Sequence, residues 1–360
     1  MLPKERFVFY ADCADHDFDL STLGMVNEVT GLGFKFSYPD YRDFPDNEPG
    51  FRISDEDIER IRDNHVVFFS CPIDYELDSQ LENMTGCLKY QYGAKSVTVV
   101  LRFLRYRRQE NEKKPYEFNA LQQFFRKLKY ACGVDRVIVV EPHNIANTQK
   151  YCDEVGLELC ICNPTRLFAK SVQGLVDTRG AENVYVYAPD IGAVRRNILL
   201  AKALGTRVFA RPKERLNGHT IVLDEEFDEE QFLAEIARIY GEEVEIFCDL
   251  DRVKGKDLVM VDDEAATGKT SSESALLLRK AGAQSVHLVV THPVCTSGWK
   301  DVIIPRNGPK PFNSIFFGNA RPRGDGLRKF KQRTMGKIIT VDLGPVLAES
   351  LIEVLEGITD

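Results

Sequence analysis

Short apolar runs rich in Val, Ile and Phe return along this chain at intervals that leave room for a helix between neighbours. Phe7 to Tyr10, Val66 to Phe69, Val97 to Phe103 and Val137 to Val140 are such runs in the first half. Val184 to Tyr187, Val208 to Phe209, Leu258 to Val261, Val286 to Val290 and Ile338 to Val341 follow in the second. Helical patterns are expected between them, at 77–92, 119–132, 194–204, 230–240 and 271–281, with a terminal helix over 345–355. Strands separated by helices of ten or more residues imply βαβ units and mainly parallel sheets flanked by helices on both faces. In open α/β sheets of this kind ligands sit beyond the carboxyl ends of the strands.

At 360 residues the chain has room for two such domains of about 150 residues each. The two sets of runs divide near Asn163, which gives α/β domains over 1–162 and 163–343 and leaves 344–360 as a terminal helix able to pack back on the first. Residues 308–326, rich in Pro, Gly and Arg without periodicity, are expected to form a loop. A hydrophobic content of 43% and a charged content of 28% are those of a soluble globular protein. The net charge of −8 argues against a nucleic-acid partner, which calls for a basic footprint. No apolar run approaches the roughly 18 residues of a membrane span, and the N-terminus enters a strand directly, unlike a signal peptide. The 9 cysteines include no zinc-type spacing. Reduced, mostly buried thiols in a cytoplasmic protein are expected.

The most informative strand end is that of the Leu258–Val261 run. Asp262 and Asp263 follow it, then Glu264-Ala265-Ala266 and a Thr267-Gly268-Lys269-Thr270 turn, with a helical pattern from about Ser271. An Asp pair suits sugar hydroxyls or Mg²⁺, while the amides and hydroxyls of the turn suit a phosphate at a helix N-terminus. The turn is no Walker A loop, because Asp263 stands where that motif needs Gly six positions before the Lys. A phosphorylated sugar is the direct reading, and an ordinary βα turn with a solvated acidic pair is the alternative.

Five further segments stand out. Phe44-Pro45-Asp46-Asn47-Glu48 sets an aromatic beside spaced acceptors, which suits a base with an exocyclic amine, or a plain surface turn. Arg102 to Glu110 holds Arg102, Arg105, Arg107 and Arg108 past a strand end, a cationic patch matched to phosphate oxygens or a solvated charge run. Glu141-Pro142-His143 ends another strand with a single His, a residue more often structural than a ligand, and Ala188-Pro189-Asp190 ends one more, consistent with a metal or sugar contact or with a plain turn. Lys213 and Arg215 open a long polar stretch, by itself a solvated surface loop or one that closes over a transferring phosphoryl group.

Taken in order, these segments resemble the ribose-phosphate pyrophosphokinases (phosphoribosyl pyrophosphate synthetases). Phe44, Asp46 and Glu48 match a Phe-x-Asp-Gly-Glu turn, with Asn47 for Gly. Tyr106, Arg108 and Gln109 match Tyr-x-Arg-Gln-Asp, with Glu110 for Asp. Glu141-Pro142-His143 stands for Asp-Leu-His, while Pro189, Asp190 and Gly192 match Ser-Pro-Asp-x-Gly-Gly. Lys213 and Arg215 match a Lys-x-Arg, and Asp262, Asp263, Thr267 and Thr270 match Asp-Asp-x-x-Asp-Thr-x-Gly-Thr. The resemblance spans roughly Phe7 to His292 and fades beyond it.

It implies a fold of two similar phosphoribosyltransferase-type α/β domains, the first on the ATP side and the second bearing the ribose-phosphate loop. It implies transfer of the β,γ-diphosphoryl group of ATP to the C1 hydroxyl of ribose 5-phosphate, with Mg²⁺, in a homo-oligomer. Phe44, Asp46 and Glu48 would hold adenine. Arg108, Gln109 and Glu110 would serve ATP, and His143 and Asp190 would organise Mg²⁺. Lys213 and Arg215, with His143, would be catalytic. Asp262 and Asp263 would hold ribose hydroxyls, and Ala266, Thr267, Gly268, Lys269 and Thr270 the 5-phosphate.

Ala266 replaces the family's third loop Asp, and Lys269 replaces a Gly. The loop is thereby more cationic by about two charges at neutral pH. An acceptor bulkier or more anionic than ribose 5-phosphate, such as ADP-ribose in nicotinamide salvage, is therefore an alternative. A non-catalytic regulatory subunit is a second, opposed by retention of His143, Asp190, Lys213 and Arg215. A phosphoribosyltransferase would not need Arg108 and Gln109.

Overall fold

The structure, a computed structural model, describes residues 4–12, 16–46, 49–110, 117–189, 191–210, 213–216, 220–223, 228–240, 244–321 and 337–358. The chain divides into two units. One comprises 1–163, 320–322 and 342–360, and the other 164–319 and 323–341.

The first unit runs β1 (Phe7–Ala11), α1 (His16–Thr30), β2 (Phe36–Ser37), a hairpin of β3 (Asp40–Asp43) and β4 (Pro49–Arg52), then α2 (Asp55–Ile61) and β5 (His65–Ser70). It continues with α3 (Tyr75–Gly86), β6 (Ser96–Leu101), α4 (Ala120–Arg126), β7 (Arg136–Val140), α5 (Ile145–Val155) and β8 (Glu158–Cys162). The main sheet has the order β2-β1-β5-β6-β7-β8 and is parallel throughout. All six residues of β5 and all six of β6 are buried, the mark of strands covered on both faces. Polar caps start the helices: the side chains of Ser54, Asp74, Asn119 and Asn144 each accept a backbone N–H from the first turn that follows. Both α3 and α4 end in a π turn, Cys87–Gln91 and Lys127–Ala131, each containing Leu-Lys-Tyr. The match runs on at the same spacing through Gly93 and Gly133 and through Val97, Val99 and Val100 with Val137, Val139 and Val140.

The second unit runs α6 (Thr165–Arg179), β9 (Val184–Ala188), α7 (Ile191–Leu204), β10 (Arg207–Ala210), a hairpin of β11 (Lys213–Leu216) and β12 (Thr220–Leu223), α8 (Glu229–Tyr240) and β13 (Ile246–Phe247). Then come β14 (Asp257–Glu264), α9 (Lys269–Lys280), β15 (Ser285–His292), α10 (Trp299–Ile303), β16 (Ser314–Gly318) and β17 (Ile338–Val341). Its sheet has the order β13-β10-β9-β14-β15-β16-β17 and is again parallel throughout. The terminal helix α11 (Gly344–Gly357) lies in the first unit against α1 and β8. There Ser21 donates to Asp342 at 3.1 Å, close to the start of α11.

Two expectations need correction. Residues 308–326 were expected to be a loop, yet β16 lies within them, paired on both sides and buried from Ile315 to Gly318. Its three apolar residues are too few to show a period among Pro, Gly and Arg. The strand at Leu258–Val261 also extends through the acidic residues to Glu264, because β15 continues the ladder with Asp262 opposite Val290 and Glu264 opposite His292. Cys71, Cys132, Cys152, Cys162 and Cys248 are buried and in no disulfide. Among the described residues no helix is long and apolar enough to cross a membrane.

Two buried polar clusters mark the sheet edges. In the first unit, Arg102 is fully buried just past β6, 3.2 Å from Asp12 and 3.3 Å from Asp19. Asp12 also accepts the Cys71 backbone N–H at 2.8 Å, tying the ends of β1, β5 and β6 together. Substituting Arg102 leaves two buried carboxylates without this cation, so Arg102→Met is expected to cost about 3–5 kcal/mol. Chemical denaturation reads this, and an unchanged midpoint would contradict it.

In the second unit, Asp257 pairs with Arg179 at 2.5 Å and accepts the Ser285 hydroxyl, whose oxygen lies 2.8 Å from Nε2 of His287. Burial pushes the His287 pKa below its ordinary value and the Arg279 charge adds to this, against the opposing pull of Asp257. The folded state therefore binds this proton less readily than the unfolded chain. The contribution to stability is complete above about pH 6.5 and declines as the pH falls below it. His287→Gln is expected to flatten the loss of thermal stability between pH 7.5 and 5.5, and parallel wild-type and variant curves would contradict it.

Candidate functional site

In the second unit the acid pair stands where the strand order reverses. β9 leads through α7 to β10 on one side, and β14 leads through α9 to β15 on the other. Right-handed crossovers put α7 and α9 on opposite faces of the sheet. The last pair between β14 and β9 is Met260 with Tyr187, and β14 continues to Glu264 while β9 ends at Ala188.

Neighbouring residues of a strand point to opposite faces, and the two Asp obey this. Asp262, half-buried, accepts the Ser271 hydroxyl of α9 at 3.3 Å. Asp263, 4% exposed, lies 3.6 Å from the guanidinium of Arg196 on α7. Each carboxylate is thus oriented by a helix on its own side. Neither partner was assigned a part in the site by sequence reasoning. No spacing rule ties α7 to β14, and only their adjacency in the folded sheet reveals the pair.

The loop after β14 is held from below by the segment after β15. Cys295 N–H donates to the Ala265 carbonyl at 2.9 Å and Thr296 N–H to that of Ala266 at 3.1 Å. Gly268 then adopts φ 71° as the residue before α9, where the Lys269 N–H reaches the Thr267 hydroxyl at 3.3 Å. A Cβ at Gly268 would lie 2.3 Å from the Ile303 side chain, so glycine is required by conformation and by space. The first N–H groups of α9 have no partner within the helix and favour an anion there. Lys269 is exposed and its ammonium lies 3.7 Å from Glu273, one turn along α9.

Lys213 and Arg215 fall on β11, opposite Leu223 and Ile221 of β12, and that hairpin lies beside α9. The strand preceding it, β10, is two strands from β14. Asp190 lies outside the described residues.

In the first unit, Arg108 and Gln109 are exposed in the turn that follows β6, while Glu110 is buried. Arg107 stacks over Phe103, 4.2 Å from the ring centroid, and Arg321 lies 5.1 Å from the same ring. His143 is exposed past the adjacent strand β7, so these two segments share one edge of the sheet. Phe44 and Asp46 are exposed at the tip of the β3–β4 hairpin, and Glu48 lies outside the described residues. A cavity of about 520 Å³ lined by Glu182, Lys202, Arg207 and Glu245 opens at the opposite, amino-terminal ends of β9 and β10. It is remote from the acid pair, at the edge of the sheet where such folds do not place substrates.

Two units, each a parallel sheet flanked by helices, make up a two-domain phosphoribosyltransferase-type fold. A crystal structure of phosphoribosylpyrophosphate synthetase from Mycobacterium smegmatis superposes with a TM-score of 0.73 at 19% identity, over 98% of this chain and 99% of that one. Three proteins named ribose-phosphate pyrophosphokinase are similar in sequence. That of Methanosarcina acetivorans is 28% identical over 79% of this chain and 88% of its own length. That of Thermosipho africanus is 26% identical over 88% and 86%, and that of Ralstonia nicotianae 23% over 85% and 86%. No known protein-family profile matches the chain. The chain is a divergent homologue of the ribose-phosphate pyrophosphokinases, which are diphosphokinase-type transferases.

Gly268→Ala tests the loop directly. The expected outcome is displacement of the α9 N-terminus and a lower melting temperature, since a Cβ there meets Ile303 and the residue must hold a positive φ. Thermal unfolding would show it, and a wild-type melting temperature would contradict the steric requirement.

Proposed function

We propose that this chain transfers the β,γ-diphosphoryl group of ATP to the C1 hydroxyl of ribose 5-phosphate, giving phosphoribosyl pyrophosphate and AMP. The observation that carries the reading is the acid pair at the overhanging end of β14, running into the Gly268-capped N-terminus of α9. The similarity to pyrophosphokinases over most of the chain supports it.

The reaction needs no side-chain nucleophile. The C1 oxygen attacks the β-phosphorus, the bond from that phosphorus to the α–β bridging oxygen breaks, and AMP leaves as the hydroxyl proton is lost. Positioning and electrostatic stabilisation do most of the work in such transfers. Asp262 and Asp263 accept hydrogen bonds from the ribose hydroxyls, their carboxylates oriented by Ser271 and Arg196. The amides and hydroxyls of Thr267 to Thr270 receive the 5-phosphate. Lys213 and Arg215 neutralise charge on the transferring group. Arg108 and Gln109 contact ATP, with Phe44, Asp46 and Glu48 for adenine.

Among the described residues no three His, Cys, Asp or Glu side chains gather as a metal cage. Mg²⁺ bound to ATP asks for only one or two protein groups, because phosphates and water fill its octahedron. Exposed His143 fits such a role through the ion's waters, and Asp190 is its proposed companion. When bound, the ion supplies positive charge to the triphosphate.

Lys269 bears on the acceptor. Its ammonium sits beside Glu273, so part of the extra charge it brings is balanced along α9. That favours ribose 5-phosphate over a more anionic acceptor. AMP release from ATP and Mg²⁺ should therefore be faster with ribose 5-phosphate than with ADP-ribose, and Lys269→Gly should retain this preference. Asp263→Asn and Lys213→Ala should each lower kcat about 10²–10³-fold. Preference for ADP-ribose would move the activity to the substituted acceptor, and absence of AMP with either would favour a non-catalytic subunit.

A further inference from the structure

We infer that Asp78, on the first turn of α3, is a positioning residue for the ATP-contact segment, where it holds Tyr106 in a left-handed turn that presents Arg108 and Gln109. This rests on the pyrophosphokinase reading of that segment.

Tyr106 has φ 61°. A bulky side chain there brings Cβ against its own backbone at a cost on the order of 1–2 kcal/mol. Such a conformation persists only where the surroundings over-determine it. The Tyr106 hydroxyl donates to the Asp78 carboxylate at 2.7 Å. Its ring packs 5.8 Å from that of Phe124 on α4. The preceding Arg105 places its guanidinium 4.2 Å from the Tyr75 ring centroid and 5.0 Å from that of Tyr106, with Nε 3.7 Å from Asp78. Arg105 also donates to the carbonyl of Asp74, the N-cap of α3. The first turn of α3 therefore grips both residues that lead into the segment.

The far end is held separately. Gln109 N–H closes the turn on the Tyr106 carbonyl at 2.8 Å, and Leu121 N–H reaches the Gln109 carbonyl at 3.3 Å. The Glu110 carbonyl accepts from Asn119 at 3.2 Å and from the Tyr151 hydroxyl at 2.6 Å. Exposed Arg108 and Gln109 lie between these two anchors. A rotation of φ at Tyr106 redirects the chain two residues before Arg108, so the grip on Tyr106 fixes where that guanidinium points. Burial first, then the bond to Asp78, pushes the Tyr106 phenol up to about 12. The hydroxyl thus remains a donor at neutral pH.

The test is steady-state kinetics of Asp78→Ala, Tyr106→Phe, their double variant, and Asp78→Asn, with thermal unfolding of each. Loss of the contact is expected to raise KM for ATP about ten-fold, with KM for ribose 5-phosphate within about two-fold of wild type. The double variant should be no worse than Asp78→Ala, since the two side chains act through one contact. Asp78→Asn, which keeps an acceptor of the same shape, should recover most of the ATP affinity. Equal rises in both KM values, or a fall in melting temperature with KM for ATP unchanged, would overturn the assignment. Should the wild-type protein release no AMP, the pyrophosphokinase reading fails instead. Titration with a fluorescent ATP analogue then still decides the role of Asp78: about ten-fold weaker binding to Asp78→Ala supports it, and equal binding overturns it.

Discussion

Every strand in both main sheets runs parallel to its neighbours, so within each unit all βα connections leave from one edge. The remainder of the site follows from this constraint. Loops after β9, β10 and β14 in the second unit, and after β6 and β7 in the first, come together at their own sheet edge although they are far apart in sequence. The parallel ladder also forces helices onto both faces, which explains why the central strands read as continuous apolar runs rather than as alternating ones.

At that edge the site is shaped by strand pleating. Two adjacent Asp on β14 cannot share a side of the sheet, and each meets a different helix, Asp262 the start of α9 and Asp263 the middle of α7. Two neighbouring carboxylates repel each other. The Arg196 guanidinium and the amide-rich N-terminus of α9 supply the compensating positive potential. The corresponding reversal in the first unit, between β1 and β5, is instead closed by the protein's own charges. Asp12 bonds the Cys71 amide there while Arg102 lies between Asp12 and Asp19. Beyond Arg102 the chain enters the Arg105–Glu110 turn, held by α3 at one end and by Asn119 and Tyr151 at the other.

Much of this was legible in the sequence. The alternation of apolar runs with helical patterns gave two parallel α/β units. The Asp262-Asp263 pair and the Thr267–Thr270 turn were readable because strand, acids and turn are consecutive in the chain. β16 escaped because three apolar residues among Pro, Gly and Arg carry no period, and its burial comes from β15 and β17 on either side. Lys269 looked like a bare addition of charge until Glu273, one helical turn away, proved to lie beside it.

By itself, the sequence determined two parallel α/β units and an Asp pair followed by a Thr-Gly-Lys-Thr turn at the end of one strand, because these features are consecutive in the chain. Only the tertiary structure decided that Arg196 braces Asp263, that Tyr106 is held in a left-handed turn by Asp78, and that Gly268 is pressed against Ile303. These contacts join elements whose adjacency is created by strand order and crossover hand, and no spacing in the chain encodes them. The acid pair was visible as two letters; its orientation depended on the sheet putting α7 and α9 on opposite faces.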